Sequence, residues 1–233
     1  MMEHKRLTLF AGHYGSGKTN IAVIYALYLA REGKKVCIAD LDIVNPYFRT
    51  KDSAKVLEQA GIDLISPQYA NSNVDLPALP AESYRLVRDK SVCGIMDIGG
   101  DDRGAYALGR FVPDILAEND YRMVFVANCC RPLTRTPEDA LEIMREIEGA
   151  CGLKFTCIVN NSNLAEETDA EVIIGSMDYI NKLCKLSGLP LWLHTAERSV
   201  AETLPELNAP VLAMDLQEKY FALPEGGSKL CQR

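Results

Sequence analysis

Apolar and polar positions along the chain fall into short blocks that alternate between two periods. Residues 7–11, 36–39, 62–65, 92–96, 121–127, 154–159 and 189–193 are compact apolar runs, each closed by polar or turn-forming residues. Such runs read as buried strands. Residues 210–213 form one more short run, of edge-strand type. Between the runs, apolar residues recur at helical spacing. Over 18–31 they are Ile21, Ala22, Ile24, Tyr25, Leu27, Tyr28 and Leu29, and Gly33 follows as a stop. Further helices are predicted at 53–60 (with Ser53 as cap and Gly61 as stop), 81–89, about 104–118, about 167–186, 198–204 and 215–222. Another starts at Thr136, which caps it. Pro137 stands at its first position, and Glu138 and Asp139 lie in its first turn.

Strands alternating with helices imply a mostly parallel, twisted α/β sheet with helices on both faces, in three layers. No linker, repeat or low-complexity segment divides residues 1–233, so a single domain is expected, with a frayed tail from about 224. Pro46 makes 43–50 a loop. Pro67, Asn71, Asn73, Pro77 and Pro80 make 66–80 a long one, of the length that often serves as a lid.

Composition narrows the class. The chain is 48% hydrophobic and 24% charged, ordinary for a soluble globular domain. A net charge of −7 argues against broad binding to nucleic acid or anionic membrane. No apolar run approaches the ~18 residues of a membrane span, and the N-terminus lacks the apolar core of a signal peptide. The eight cysteines include Cys37, Cys93 and Cys157 inside strand-like runs, where a thiol behaves as a small hydrophobe. A reducing cytoplasm is the compartment these features predict.

The chemistry starts at the end of the first strand. Gly12-His13-Tyr14-Gly15-Ser16-Gly17-Lys18-Thr19 fits G-x-x-x-x-G-K-[ST], between a strand and a helix as that pattern requires. Glycines let backbone N–H groups turn inward around phosphate oxygens. Lys18 would neutralise the β- and γ-phosphates, the Thr19 hydroxyl would sit on Mg²⁺, and the N-terminus of the next helix, with Asn20 in its first turn, would point at the same phosphates. The expected architecture is therefore that of the P-loop nucleoside triphosphatases.

In open α/β sheets, ligands bind beyond the carboxyl ends of the strands. Those ends carry Asp40-Leu41-Asp42, Asp97-Ile98-Gly99-Gly100, Asn128-Cys129-Cys130-Arg131 and Asn160-Asn161. Asp97 has the place of a carboxylate that holds the Mg²⁺ shell. Gly99 and Gly100 would let backbone approach the γ-phosphate. Asp40 and Asp42 share one face if the strand geometry persists, one towards the metal and one towards an attacking water. Two carboxylates beside phosphate repel, so a cation is implied.

Taken together, the loop, the Asp-x-Asp after the second strand and the Asp-x-x-Gly after a later one resemble the MinD/ParA class of P-loop ATPases, the CobQ/CobB/MinD/ParA nucleotide-binding domains, over residues 5 to about 215. The resemblance implies ATP or ADP with Mg²⁺ as ligands. Lys18 and Thr19 match the family's phosphate lysine and metal ligand, Asp40 and Asp42 its paired aspartates, and Asp97 its metal-shell carboxylate. The family's first loop lysine reaches a partner subunit's phosphates. That position holds the shorter His13 here, and the next glycine is Tyr14, so a nucleotide-dependent homodimer cannot be lysine-bridged in the usual way. Asn160 and Asn161 end the strand where related ATPases place an adenine-reading asparagine, without a choice between the two. Trp192–Thr195 are expected to complete the base pocket.

Some relatives hold metal through cysteine pairs. Cys129 and Cys130 are adjacent and form no Cys-x-x-Cys, so ordinary thiols are expected there. DNA-binding relatives use basic surfaces and membrane-binding ones a terminal amphipathic helix; the tail from Leu223 is too short and too broken for such a helix, and neither partner is expected. The loops at Asn45–Arg49 and 66–80 are the candidate contacts for a protein client or small substrate. Three readings share this machinery: an ATPase switch acting on a partner, an ATP-dependent small-molecule kinase or ligase of the dethiobiotin synthetase type, and a nucleotide-binding module with very slow hydrolysis.

Overall fold

The computed structural model describes residues 4–41, 53–66, 81–100 and 102–214. Asp42, the Asn45–Arg49 loop, nearly all of the 66–80 loop, the helix expected at 215–222 and the tail lie outside them. In chain order the elements are β1 (Leu7–Ala11), α1 (Lys18–Arg31), β2 (Val36–Leu41), α2 (Ala54–Gln59), β3 (Asp63–Ile65), a 3₁₀ turn (Ala81–Tyr84), α3 (Arg85–Arg88), β4 (Cys93–Ile98), α4 (Asp102–Leu108) and α5 (Val112–Glu118). The second half adds β5 (Tyr121–Ala127), a 3₁₀ turn (Pro132–Thr134), α6 (Pro137–Cys151), β6 (Cys157–Asn160), another 3₁₀ turn (Ala165–Glu167), α7 (Ala170–Gly175), α8 (Met177–Ser187), β7 (Leu191–Glu197), α9 (Arg198–Ala201) and β8 (Val211–Met214).

The strands form one eight-stranded sheet in the order β3-β2-β4-β1-β5-β6-β7-β8, with every adjacent pair parallel. Successive residues alternate between two cores. Leu7, Leu9 and Ala11 face one side with Met96, Ile98, Phe125 and the buried residues of α3 to α6 and α8. Phe10 faces the other, with Ile38, Ile95, Val124 and the buried face of α1 and α2. Burial on both faces is why these strands read as continuous apolar runs rather than as alternation. The expected three-layer α/β architecture is what the chain adopts.

β1 lies between β4 and β5, and the chain crosses from one half of the sheet to the other there. That reversal opens a crevice above the end of β1, directly at the glycine-rich loop.

Two long helices expected from periodicity are each broken. The 104–118 pattern splits at 109–111 because Pro113, at the start of α5, has no N–H and cannot continue a helix from α4. Phe111 fills the break, fully buried, with its ring 5.0 Å from that of Tyr84. The 167–186 pattern splits at Ser176. Its buried hydroxyl bonds the Ile173 carbonyl at 2.6 Å and receives the Asn160 amide at 2.8 Å. A hydroxyl that competes with the backbone in this way favours a turn over continued helix.

Several strands run further than their apolar composition suggested. β2 includes Asp40 and Leu41, β4 includes Asp97 and Ile98, and β7 continues through His194 and Thr195 to Glu197. β6 starts later than expected, at Cys157, and includes Asn160. In each case the extra residues carry polar side chains into the crevice region.

Candidate nucleotide site

The loop between β1 and α1 is built on a left-handed backbone: Gly12, Gly15 and Gly17 have φ of 152°, 74° and 92°. A Cβ at Gly12 would lie 2.6 Å from the Val126 carbonyl oxygen, and Gly17 is as restricted. It caps α1 in the left-handed region, and a Cβ there would lie 2.1 Å from Asn161 Nδ2. The Ser16 N–H donates to the His13 carbonyl at 3.1 Å, closing the loop on itself.

Lys18, the first residue of α1, is buried, and its ammonium donates to the same His13 carbonyl at 3.2 Å. Thr19 and Asn20 are half-buried in the first helical turn. That turn itself holds no acidic residue to offset the positive end of the helix dipole. Ser16 Oγ is buried and has no hydrogen-bond partner. A left-handed glycine loop, an orphaned hydroxyl, a buried ammonium and a helix N-terminus without a first-turn carboxylate fit a polyanion. His13 turns its ring back to the Tyr14 carbonyl (2.9 Å), while Tyr14 projects 54% exposed.

The carboxylates lie on the β4 side of this loop. Asp40 and Asp97 are register partners across the β2–β4 pair, and Asp97 is also the register partner of Phe10 in β1. Both are buried. They share the sheet face of Ile38, Ile95 and Phe10, which is the face α1 covers. Two carboxylates therefore stand side by side on the face that α1 covers, a donor set of hard oxygens suited to Mg²⁺ and its waters.

Gly100 follows, with its backbone against the loop. A Cβ on it would lie 2.7 Å from the Tyr14 nitrogen and 3.0 Å from Lys18 Nζ. The first turn of α4 presses in turn on Gly99, because a Cβ at Gly104 would lie 2.6 Å from Gly99 Cα.

The amides lie on the other side, at the ends of β5, β6 and β7. Asn161 Nδ2 donates to the Ser16 carbonyl at 2.6 Å, and the Thr195 hydroxyl donates to Asn161 Oδ1. Asn160 is fully engaged. Its amide donates to Ser176 Oγ (2.8 Å) and lies 3.1 Å from His194 Nδ1, and its oxygen accepts the Ser162 N–H at 3.2 Å. Asn161 keeps one amide hydrogen uncommitted; Asn160 keeps none. Trp192 stands apart from this group. It occupies the start of β7 and packs against Phe10 and Tyr25, with the Arg122 guanidinium 4.2 Å from its ring centre.

Two groups here take roles that the sequence did not assign, although His194 lies within the expected 192–195 stretch and Arg131 within the polar end of β5. His194 joins Asn160 to Asn208 Oδ1 (3.1 Å from Nε2), tying the strand ends to the chain before β8. Arg131, at the end of the β5 turn, donates from Nε to the Gly15 carbonyl at 2.9 Å. Cys129 and Cys130 precede it as free thiols. Burial and the neighbouring Cys129 push the Cys130 thiol up to about 11, so it stays protonated at neutral pH. No cluster able to hold a metal through three or more His, Cys, Asp or Glu side chains exists among the described residues.

Burial lowers the pKa of His194 below its usual 6.5. The ring is then neutral in the fold and takes a proton more readily once unfolded. Stability is retained above about pH 6.5 and declines as pH falls from there towards the lowered folded value, by at most ~1.4 kcal/mol per pH unit. Urea unfolding at pH 7.5 and 5.5 should show this loss in the wild type and a smaller one in His194→Gln. An equal loss in both would remove His194 as its source.

No protein-family model matches the sequence, and no curated protein matches it. Solved structures share the fold. The cell division protein FtsY of Thermotoga maritima aligns with a TM-score of 0.56 at 18% identity, over 84% of this chain and 62% of that one. The signal recognition particle receptor FtsY of Elizabethkingia anophelis, in complex with GDP, aligns at 0.50 and 15% identity, over 84% and 58%. The 54 kDa signal recognition particle protein of Aeropyrum pernix, also in complex with GDP, aligns at 0.51 and 16%, over 81% and 41%. The chain thus spans less than two thirds of the length of these neighbours. No described helix is long and apolar enough to cross a membrane.

Proposed function

We propose that the chain is a Mg²⁺-dependent, ATP-binding nucleoside triphosphatase of the MinD/ParA class that acts as a nucleotide switch on a protein client. The observation that carries this reading is the placement of Asp40 and Asp97 as register partners beside the Lys18 loop. Phosphate donors and metal-attracting carboxylates meet at the strand where the sheet reverses. The GDP complexes among the structural neighbours support a nucleotide in such a crevice.

Within this reading the loop N–H groups and Lys18 hold the β- and γ-phosphates. Thr19, Asp97 and Asp40 are the residues that would hold Mg²⁺, which supplies charge neutralisation and alignment of the phosphates. Asp42 would orient the attacking water for in-line displacement. Adenine is favoured over guanine by the amides at the end of β6. Guanine presents adjacent N–H donors that suit a carboxylate, whereas an amide both donates and accepts as adenine requires. Asn161, with its spare donor, is the better placed of the two. The close approach of Gly100 to the loop supports a switch: a γ-phosphate beside Lys18 would press on Gly100 and, through the Gly99–Gly104 contact, shift α4, which presents Tyr106 at 66% exposure. A client or a second copy of the chain could read that displacement in the cytoplasm.

Phosphate release from ATP and GTP, with and without Mg²⁺, tests the reading. ATP is expected to be turned over in preference to GTP, and only with Mg²⁺. Asp42→Ala should keep ATP affinity and lose about 10²-fold or more in turnover. A preference for GTP would overturn the base assignment, and wild-type turnover in Asp42→Ala would remove its role.

A further inference from the structure

The turn after β5 is unusually well braced. The Asn128 carbonyl accepts the Thr134 hydroxyl at 2.7 Å and the Arg131 N–H at 3.3 Å. Asn128 Oδ1 accepts the Cys130 N–H at 3.0 Å and the Asn163 N–H at 3.4 Å, joining the β5 turn to the one after β6. Pro132 follows and holds Arg131 extended, at φ −97° and ψ 136°. From this fixed backbone the half-buried Arg131 side chain reaches the Gly15 carbonyl.

One of its five N–H donors is used there. Among the described residues the guanidinium makes no other hydrogen bond and no ion pair. A positive fork is therefore pinned to the rim of the loop with its remaining donors uncommitted. Bracing a carbonyl needs only one neutral donor. A fork beside a polyanion site matches phosphate oxygens, and that geometry is particular to arginine.

The side on which it stands decides what it touches. β5 flanks β1 opposite β4 and β2, so Arg131 is across the loop from Asp40 and Asp97. It shares its side with Asn161. The γ-phosphate and metal belong with the carboxylates, and the nucleoside belongs with the amides. We propose that Arg131 binds the phosphates nearest the nucleoside, those that di- and triphosphates have in common, and so sets affinity for both nucleotide states. This rests on the nucleotide-site reading above.

Titration calorimetry with ATP, ADP and inorganic pyrophosphate, on wild type, Arg131→Gln and Arg131→Lys, tests it. Glutamine keeps a donor for Gly15 but not the charge. Arg131→Gln is expected to weaken all three ligands alike, by about tenfold to a hundredfold, and Arg131→Lys to recover part of the loss. The dependence of affinity on salt should become shallower in Arg131→Gln. An Arg131→Gln protein with wild-type affinities overturns the proposal, as does a loss confined to ATP. A loss for the nucleotides that spares pyrophosphate overturns it too and assigns Arg131 to the base. Wild-type protein that binds none of the three sinks the nucleotide site itself, a result distinct from any Arg131 outcome. Thermal unfolding of the ligand-free variants, expected to match the wild type, shows that the fold is intact.

Discussion

Lys18→Ala is expected to lose nucleotide affinity by about 10²- to 10³-fold, for ATP and ADP together. Lys18 is buried at the first position of α1, and its ammonium is bonded to the loop it closes. A buried charge that meets a phosphate is not replaced by water when it is removed. Truncating one partner of such a pair costs about 2–5 kcal/mol, roughly 30- to 5,000-fold, which brackets the stated range in affinity. Alanine is a good helix former, so α1 itself should be little affected. Fluorescent-nucleotide titration of wild type and variant is the measurement. Undiminished affinity in Lys18→Ala would refute the assignment of this loop.

Gly17→Ala should damage stability and binding at once. The position has φ 92°, and a Cβ would sit 2.1 Å from Asn161 Nδ2, inside any non-bonded contact. The left-handed backbone costs a non-glycine residue about 1–2 kcal/mol. Displacing Asn161 from Ser16 adds roughly 1–3 kcal/mol of overpacking. For a chain of this size the total lowers the unfolding midpoint by roughly 5–15 °C. Truncating Asn161 removes the obstacle, so the double variant Gly17→Ala/Asn161→Ala should lose less than the sum of the single losses. Strict additivity in differential scanning fluorimetry would show that the two residues do not collide.

Much of this architecture was legible because its determinants are local. A parallel strand buried on both faces declares itself as an apolar run, and the loop is a contiguous pattern of glycines ending in Lys18 and Thr19. Where the determinant is distant, the sequence misleads. Ser176 looks like an ordinary helical position until Asn160, on a separate strand, takes its hydroxyl. His194 and Thr195 look like the end of β7, yet they extend the strand because Asn160, Asn161 and Asn208 satisfy their polar atoms. Trp192 lies within the same apolar stretch and packs into the α1 side of the sheet, so proximity in sequence to Thr195 says nothing of a shared pocket. Arg131 shows the same limit. Only the bracing by Asn128 and the fixed turn at Pro132 place its guanidinium at Gly15, which is 116 positions away in the chain. The order of the sheet, with β4 inserted between β1 and β2, is equally a property of the whole.

That order bears on how the protein is made. β1 and its loop leave the ribosome well before the strands that β1 pairs with, β4 and β5, which begin at Cys93 and Tyr121. Throughout that interval the nascent chain carries an unpaired apolar strand and the apolar face of α1 with no sheet to cover them. Such surfaces are what chaperones bind and what aggregates from. If the crevice binds nucleotide as proposed, that ligand offers no help meanwhile, because the amides assigned to it at the end of β6 are translated later still. Production in the cell should therefore depend more on the rate of translation and on chaperone supply than on how much nucleotide is present.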